Sequence, residues 1–249
     1  MAFAVAGCQT SSEGSSSLLT GSTGTVSLKT AALAAQKYEQ NPSDTKAGLH
    51  YVRLLKEMGQ TDKALNVLAE IAKNNPQDVG LTTLYGKELA EAGRGEDASQ
   101  VLNAIVQTGK ADWKIYSALG SAYDQQGAFA EAREAYKSAL TMKPGEVGIM
   151  NNMGMSYALE GNLKEAEAVL RQAMALPGAG KVPRVRQNLA LVVGLQGRFD
   201  EAREIASKDL PPGQVEANMA VLQNMLQQPN TWQQLKGGKA PAAKTASNG

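Results

Sequence analysis

Four glycines, Gly59, Gly93, Gly127 and Gly161, follow one another at intervals of 34 residues, and each is followed five residues later by an alanine: Ala64, Ala98, Ala132 and Ala166. A fifth pair, Gly197 and Ala202, comes 36 residues after the fourth, so two residues are inserted in the Leu176 to Pro183 connection. A period of this length means one small unit stacked on copies of itself, because such a unit cannot bury its apolar face alone. Spacing inside the unit is helical. In the fourth copy Met150, Met153, Gly154 and Tyr157 form one stripe, and Ala166, Val169, Leu170, Ala173 and Met174 form another. The glycine falls between the two helices, where the chain needs a left-handed residue to leave the first. The alanine falls where the two axes cross, and a larger side chain there would push them apart. Pro42, Pro76 and Pro144 stand at one phase of the period and stop the preceding helix.

These residues resemble the tetratricopeptide repeat (TPR) pattern. The resemblance implies an all-α solenoid, a right-handed superhelix of about five helix pairs: Thr45 to Asp78, Val79 to Asp112, Trp113 to Glu146, Val147 to Gly180 and Pro183 to Pro212. Val52, Gly86, Gly120, Gly154 and Ala190 share a small-residue phase, and Leu55, Leu89, Tyr123, Tyr157 and Val193 share a large one three residues on. A half-repeat from Leu28 to Asn41, with Leu33, Ala34 and Tyr38 at helical spacing, covers the open end. A last helix with Val215, Met219, Leu222 and Leu226 on one face, and Gln223 and Gln227 away from it, caps the other. The array is expected over residues 28–226 as one quasi-linear unit, followed over 227–249 by a mostly disordered tail in which Trp232 and Leu235 are the residues able to fold back onto the cap.

Composition excludes several functions. Twenty-five Lys and Arg against 24 Asp and Glu do not make the positive field that non-specific nucleic-acid binding requires. One cysteine and one histidine leave no intrachain disulfide, no Cys/His metal cluster and little for a catalytic triad. The reading is of a non-enzyme without cofactor, metal or small-molecule substrate. Gly178, Ala179, Gly180 and Lys181 imitate a phosphate loop, but Ala175 stands where the motif needs glycine, Val182 where it needs Ser or Thr, and no strand precedes. An insertion loop between repeats is the plainer reading. His50 reads as a surface or packing residue, and acidic pairs such as Glu131 with Glu134 as solvated helix faces.

At the N-terminus Val5, Ala6, Gly7 and Cys8 resemble a bacterial lipobox, followed by a Ser/Gly/Thr-rich stretch to about Val26. The resemblance implies a signal remnant over 1–7, lipidation at Cys8 and a tether over 8–27. Only about half of an apolar signal core, and no basic segment, precedes Cys8. Either the true start lies upstream, or Cys8 is a free cysteine on a leader. Gln9 after the cysteine resembles outer-membrane sorting.

By resemblance, the first helices of successive units line a concave groove at Arg53, Lys56, Lys87, Glu91, Ser121, Asp124, Gln125, Asn151, Met155, Gln187 and Leu191. The set is basic in the first two units and more apolar in the last two, which suits a segment of a protein partner with an acidic and an apolar part. The stretch from Arg186 to Phe199, with Asp209, Leu210 and the Glu216 to Met219 cap, resembles TadD-type TPR lipoproteins of the tight-adherence (Flp pilus) system. That resemblance implies a lipid-anchored protein on the periplasmic face of the bacterial outer membrane, assisting assembly of a secretin. A scaffold of another envelope complex, such as type IV pilus biogenesis or outer-membrane assembly, and a regulatory subunit of an enzyme are the other readings.

Overall fold

The computed structural model describes residues 27–227. Cys8, the segment 1–26 and the tail 228–249, with Trp232 and Leu235, lie outside the described residues.

Twelve α-helices occupy the described residues, with no strand among them. The first is α1 (Leu28–Gln40). Five pairs follow: α2 (Thr45–Glu57) with α3 (Thr61–Asn74), α4 (Val79–Glu91) with α5 (Gly95–Gln107), α6 (Trp113–Gln125) with α7 (Phe129–Met142), α8 (Val147–Glu160) with α9 (Leu163–Ala175), and α10 (Pro183–Leu195) with α11 (Phe199–Ala206). The last is α12 (Pro212–Gln227), one residue past the expected end of the array. The insertion before α10 is a 3-10 turn, Ala179–Lys181, with no strand in front of it, so the phosphate-loop imitation is a connection.

The five periodic glycines all have positive φ, from 71° to 96°. Each supports the same pair of closing bonds. At Gly59, the Gln60 N–H donates to the Leu55 carbonyl and the Gly59 N–H to that of Lys56, which satisfies carbonyls the helix end would otherwise leave open. The same six-residue bond recurs from Arg94 to Leu89, Ala128 to Tyr123, Asn162 to Tyr157 and Arg198 to Val193, so the large residue of each repeat is also the acceptor that closes its first helix. Helix starts are periodic too. Asp44, Asp78 and Asp112 cap α2, α4 and α6 by accepting backbone N–H bonds from Ala47, Leu81 and Ile115.

The described residues divide into two compact units, with the boundary between residues 101 and 102. The boundary falls inside α5, in the repeat that departs most from the pattern, with Lys110 in the phase of Pro76 and Pro144. In the first unit, α1 packs on α2, α2 on α3, and α3 on α4. Leu55, Leu65, Leu68 and Ile71 form its fully buried centre. A Cβ on Gly48 would come within 2.6 Å of the Ile71 Cδ1, so that glycine marks a close approach of α2 to α3.

In the second unit each helix from α6 to α12 packs on the next, and α12 also returns to α10. Ala132, Ala139, Tyr136 and Ile149 build one centre; Ala166, Leu170, Ala173, Val185, Val192, Val193 and Ala202 build a second, closed by Met219 and Leu222 of α12. Ala98, Ala132, Ala166 and Ala202 have no exposed surface, as expected at helix crossings. The end helices are less regular than their spacing predicts. Leu33 is 58% exposed while Ala31 and Ala34 carry the buried face of α1, and Leu226 is 42% exposed beyond the last buried turn of α12. Gln223 is half-buried rather than turned to water.

A charged cluster joins the last two pairs. Glu167 of α9 accepts from Gln196 and Arg171 at 2.8 Å each and from Arg198, while Glu201 of α11 takes Arg171 and Arg198 as well. The Arg198 bond, with those of Gln196 and Arg171, holds the Glu167 carboxyl down at about 2. A depressed carboxylate stabilises the fold above its ordinary pKa and loses that contribution as pH falls toward the folded value. Glu167→Gln is expected to cost about 1–2 kcal/mol at neutral pH. The loss should shrink as pH is lowered from about 4.5 toward 2. Urea titrations of both proteins across that range check it; an equal loss at every pH would refute the charge as the cause.

Candidate groove on the first helices

In the first unit Arg53 lies exposed on α2, its Nη2 2.9 Å from the His50 Nδ1 and its guanidinium 4.0 Å from Glu57 of the same helix. Lys87, one period later on α4, is half-buried and makes no ion pair among the described residues. Lys56 is differently placed: its Nζ lies 2.5 Å from Glu88 and 3.3 Å from Glu91. Two residues expected to face a ligand, Lys56 and Glu91, therefore face each other, with Glu88 as a third member that spacing did not single out. Lys56 is spent on these two acids, a group of net negative charge, which leaves Arg53 and Lys87 as the other cations of this set in the unit.

In the second unit the polar positions of α6 meet α7 and α8. Asp124 accepts a 2.8 Å bond from the Tyr136 hydroxyl, and Tyr136 is only 1% exposed. Arg133, Ser156 and Ser121 also lie against this pair. Burial pushes the Asp124 carboxyl up to about 6, against the pull of Ser156, Tyr136 and Arg133, and burial also raises the Tyr136 phenol. The second Asp124 oxygen and the wholly buried Ser156 hydroxyl have no partner of regular geometry. Arg133 stacks 4.6 Å over the Tyr157 ring and pairs with Glu160 at 2.8 Å, so α7 is tied to α8 through both. The Tyr136 ring reaches its place only because residue 120 has no side chain: a Cβ there would be 2.5 Å from Cε1.

Asn151 is 4% exposed; its Oδ1 accepts from Asn188 of α10 at 2.8 Å and its amide donates to Asn152. It links two first helices from inside, whereas the resemblance to TPR arrays places it on the groove surface. Met155 and Leu191 are half-buried and pack against the α8 to α10 core, Ser121 and Gln187 are half-buried, and Gln125 is exposed. His50 is exposed and engaged with Arg53. Among the described residues no group of His, Cys, Asp and Glu is arranged to hold a metal, and no helix is long and apolar enough to cross a membrane.

Comparison with known proteins gives repeats of one kind. The family described as Psidin, N-terminal TPR repeats region, matches residues 51–177, and a tetratricopeptide repeat family matches 183–208. No curated protein matches the sequence. Among solved structures, a thermophilic TPR protein of Thermus thermophilus, TTC0263, is 26% identical with a TM-score of 0.58, over 75% of this chain and 99% of its own. MamA from Desulfovibrio magneticus RS-1 is 21% identical with a TM-score of 0.51, over 59% of this chain and 82% of its own. YrrB, described as a TPR protein with an unusual peptide-binding site, is 14% identical with a TM-score of 0.50, over 80% of this chain and all of its own. The last two likenesses concern the fold.

Proposed function

This chain belongs to the tetratricopeptide repeat family, and on that premise we propose that it is a non-catalytic scaffold whose first helices hold a segment of another protein. The observation that carries the reading is the pair Arg53 and Lys87. They stand at one phase of successive first helices, and neither is neutralised by an acid of the neighbouring repeat as Lys56 is. Lys87, with no ion pair among the described residues, and Arg53, exposed and only 4.0 Å from Glu57 of its own helix, offer positive charge at a fixed spacing, which selects a segment with acidic residues at matching intervals. The peptide-binding site named for YrrB is in keeping with that use of the fold.

The partner we favour is a secretin or another pilus-assembly component, with the scaffold held at the outer membrane by lipid on Cys8. Support for this comes from the Val5 to Cys8 lipobox resemblance and the TadD-like stretch from Arg186 to Phe199. Two or more acyl chains, each contributing about 0.8 kcal/mol per buried CH₂, anchor stably where one does not.

The Arg53→Glu, Lys87→Glu double variant is expected to fold normally, since surface changes shift stability by about 0.5 kcal/mol or less. It is expected to lose the secretin from pull-downs of envelope extract, and added salt should reproduce part of the loss. Cys8→Ser, expressed from the native locus, should leave the membrane fraction. Normal secretin multimers in a deletion strain would sink the assembly role, and an unchanged pull-down would sink the groove.

A further inference from the structure

A second surface of the second unit has the chemistry of a binding site and lies apart from the groove. Between α9, α10 and α11 is an open cavity of about 260 Å³, walled by Met174, Leu189 and Ile205 and rimmed by Arg171, Arg186 and Lys208. On α10 each residue turns about 100°, so Arg186 and Leu189 lie on nearly the opposite side of the helix from Gln187 and Leu191 of the groove. No acid lines the cavity. Arg186 is balanced by Asp209, and Arg171 by Glu167 and Glu201. Lys208 is exposed and has no acidic partner among the described residues, so the charge left over at the mouth is positive. The volume is below the roughly 300–1,000 Å³ of small-molecule and cofactor pockets, which points to a single inserted side chain.

We propose that this cavity is a second recognition site, for an acidic polypeptide segment that inserts one bulky apolar side chain between Met174, Leu189 and Ile205. Lys208 holds the acidic flank. Insertion brings a buried apolar anchor and an attractive rim together, the arrangement in which a few residues carry most of an interface's affinity. The scaffold then engages partners on two faces: cationic first helices in the first unit, and this cavity in the second.

The test uses the full chain labelled with carbon-13 in its methionine methyls, with the Met174 signal assigned through Met174→Leu. The probe is the peptide acetyl-Glu-Glu-Phe-Glu-Glu-amide, with a companion in which glutamine replaces every glutamate. The acidic peptide is expected to shift the Met174 methyl saturably, and the glutamine peptide to bind at least about fivefold more weakly. Lys208→Glu, an exposed change that leaves the circular dichroism intact, should weaken the acidic peptide about tenfold, whereas Arg53→Glu, Lys87→Glu should leave its affinity unchanged. A Met174 signal that does not move at millimolar peptide, equal affinity for both peptides, indifference to Lys208→Glu, or loss through the groove variant would each overturn the proposal. Because the groove variant serves as the control, failure of the cavity and failure of the groove are separate results.

Discussion

Ala132→Leu and Ala166→Leu are each expected to lower the thermal midpoint of the second unit by several degrees, with Ala168→Leu, on the solvent side of α9, nearly silent. Both buried alanines have no exposed surface. The tightness is measurable on the facing helix. A Cβ on Gly154 would lie 2.8 Å from the Leu170 Cγ and 3.4 Å from the Ala166 carbonyl, so α8 and α9 have no slack for three further carbons. Overpacking of this kind costs about 1–3 kcal/mol, and the upper end is expected because backbone, not a flexible side-chain tip, is what must move. At about 2–4 °C per kcal/mol for a domain of this size, the shift is well outside error. Gly120→Ala should behave alike, since the Tyr136 ring that its methyl would strike is buried and held by Asp124. Circular dichroism melts of the four variants decide the matter. Unchanged midpoints for both alanine variants would mean that the helix-pair register is wrong.

The residues behind that prediction are readable from the sequence alone, and the reason is physical. A stack of identical units imposes one packing problem five times, so glycine at the turn and alanine at the crossing recur in phase wherever the problem recurs. Legibility fails where the repetition does. At the ends no further repeat fixes the register, and helical spacing alone placed Leu33 and Leu226 on buried faces that Ala31 and Met219 in fact complete. The resemblance supplies a set of groove positions, but not which of their side chains are free. Nothing in a period tells that Lys56 spends its charge on Glu88 and Glu91, or that Asn151 is turned inward to Asn188, 37 residues on. Asp44, Asp78 and Asp112 are the converse case: their common phase, just ahead of each first helix, is a helix-cap signal that the apolar stripes overshadow.

Asp124 carries the second large effect, and its sign is opposite to that of Glu167. Its folded pKa is raised to about 6 by burial, so the protonated carboxyl is the form the fold prefers. Such a group contributes stability that is fully present below its unfolded value and is lost as pH rises through the folded one. Lowering the pH from 7.5 to about 4.5 is therefore expected to stabilise the second unit. The gain is of the order of 2 kcal/mol, from the roughly 1.5 pK units between the folded value and pH 4.5 at about 1.36 kcal/mol each. Below that range Glu167 and other paired carboxylates reverse the trend. Asp124→Asn keeps an oxygen for the Tyr136 hydroxyl and removes the charge, so it should melt higher than wild type at pH 7.5, match it near pH 4.5, and show a flat profile between. A variant that melts lower at pH 7.5 would show that attraction to Arg133 outweighs burial, and the pH argument would fall with it. Tyr136, Ser156 and Arg133 surround the carboxyl, and Arg133 is itself held by Glu160. With one oxygen on Tyr136 and the other buried, the Asp124 carboxyl belongs to the packing of α6 on α7 and α8, so its titration acts on stability.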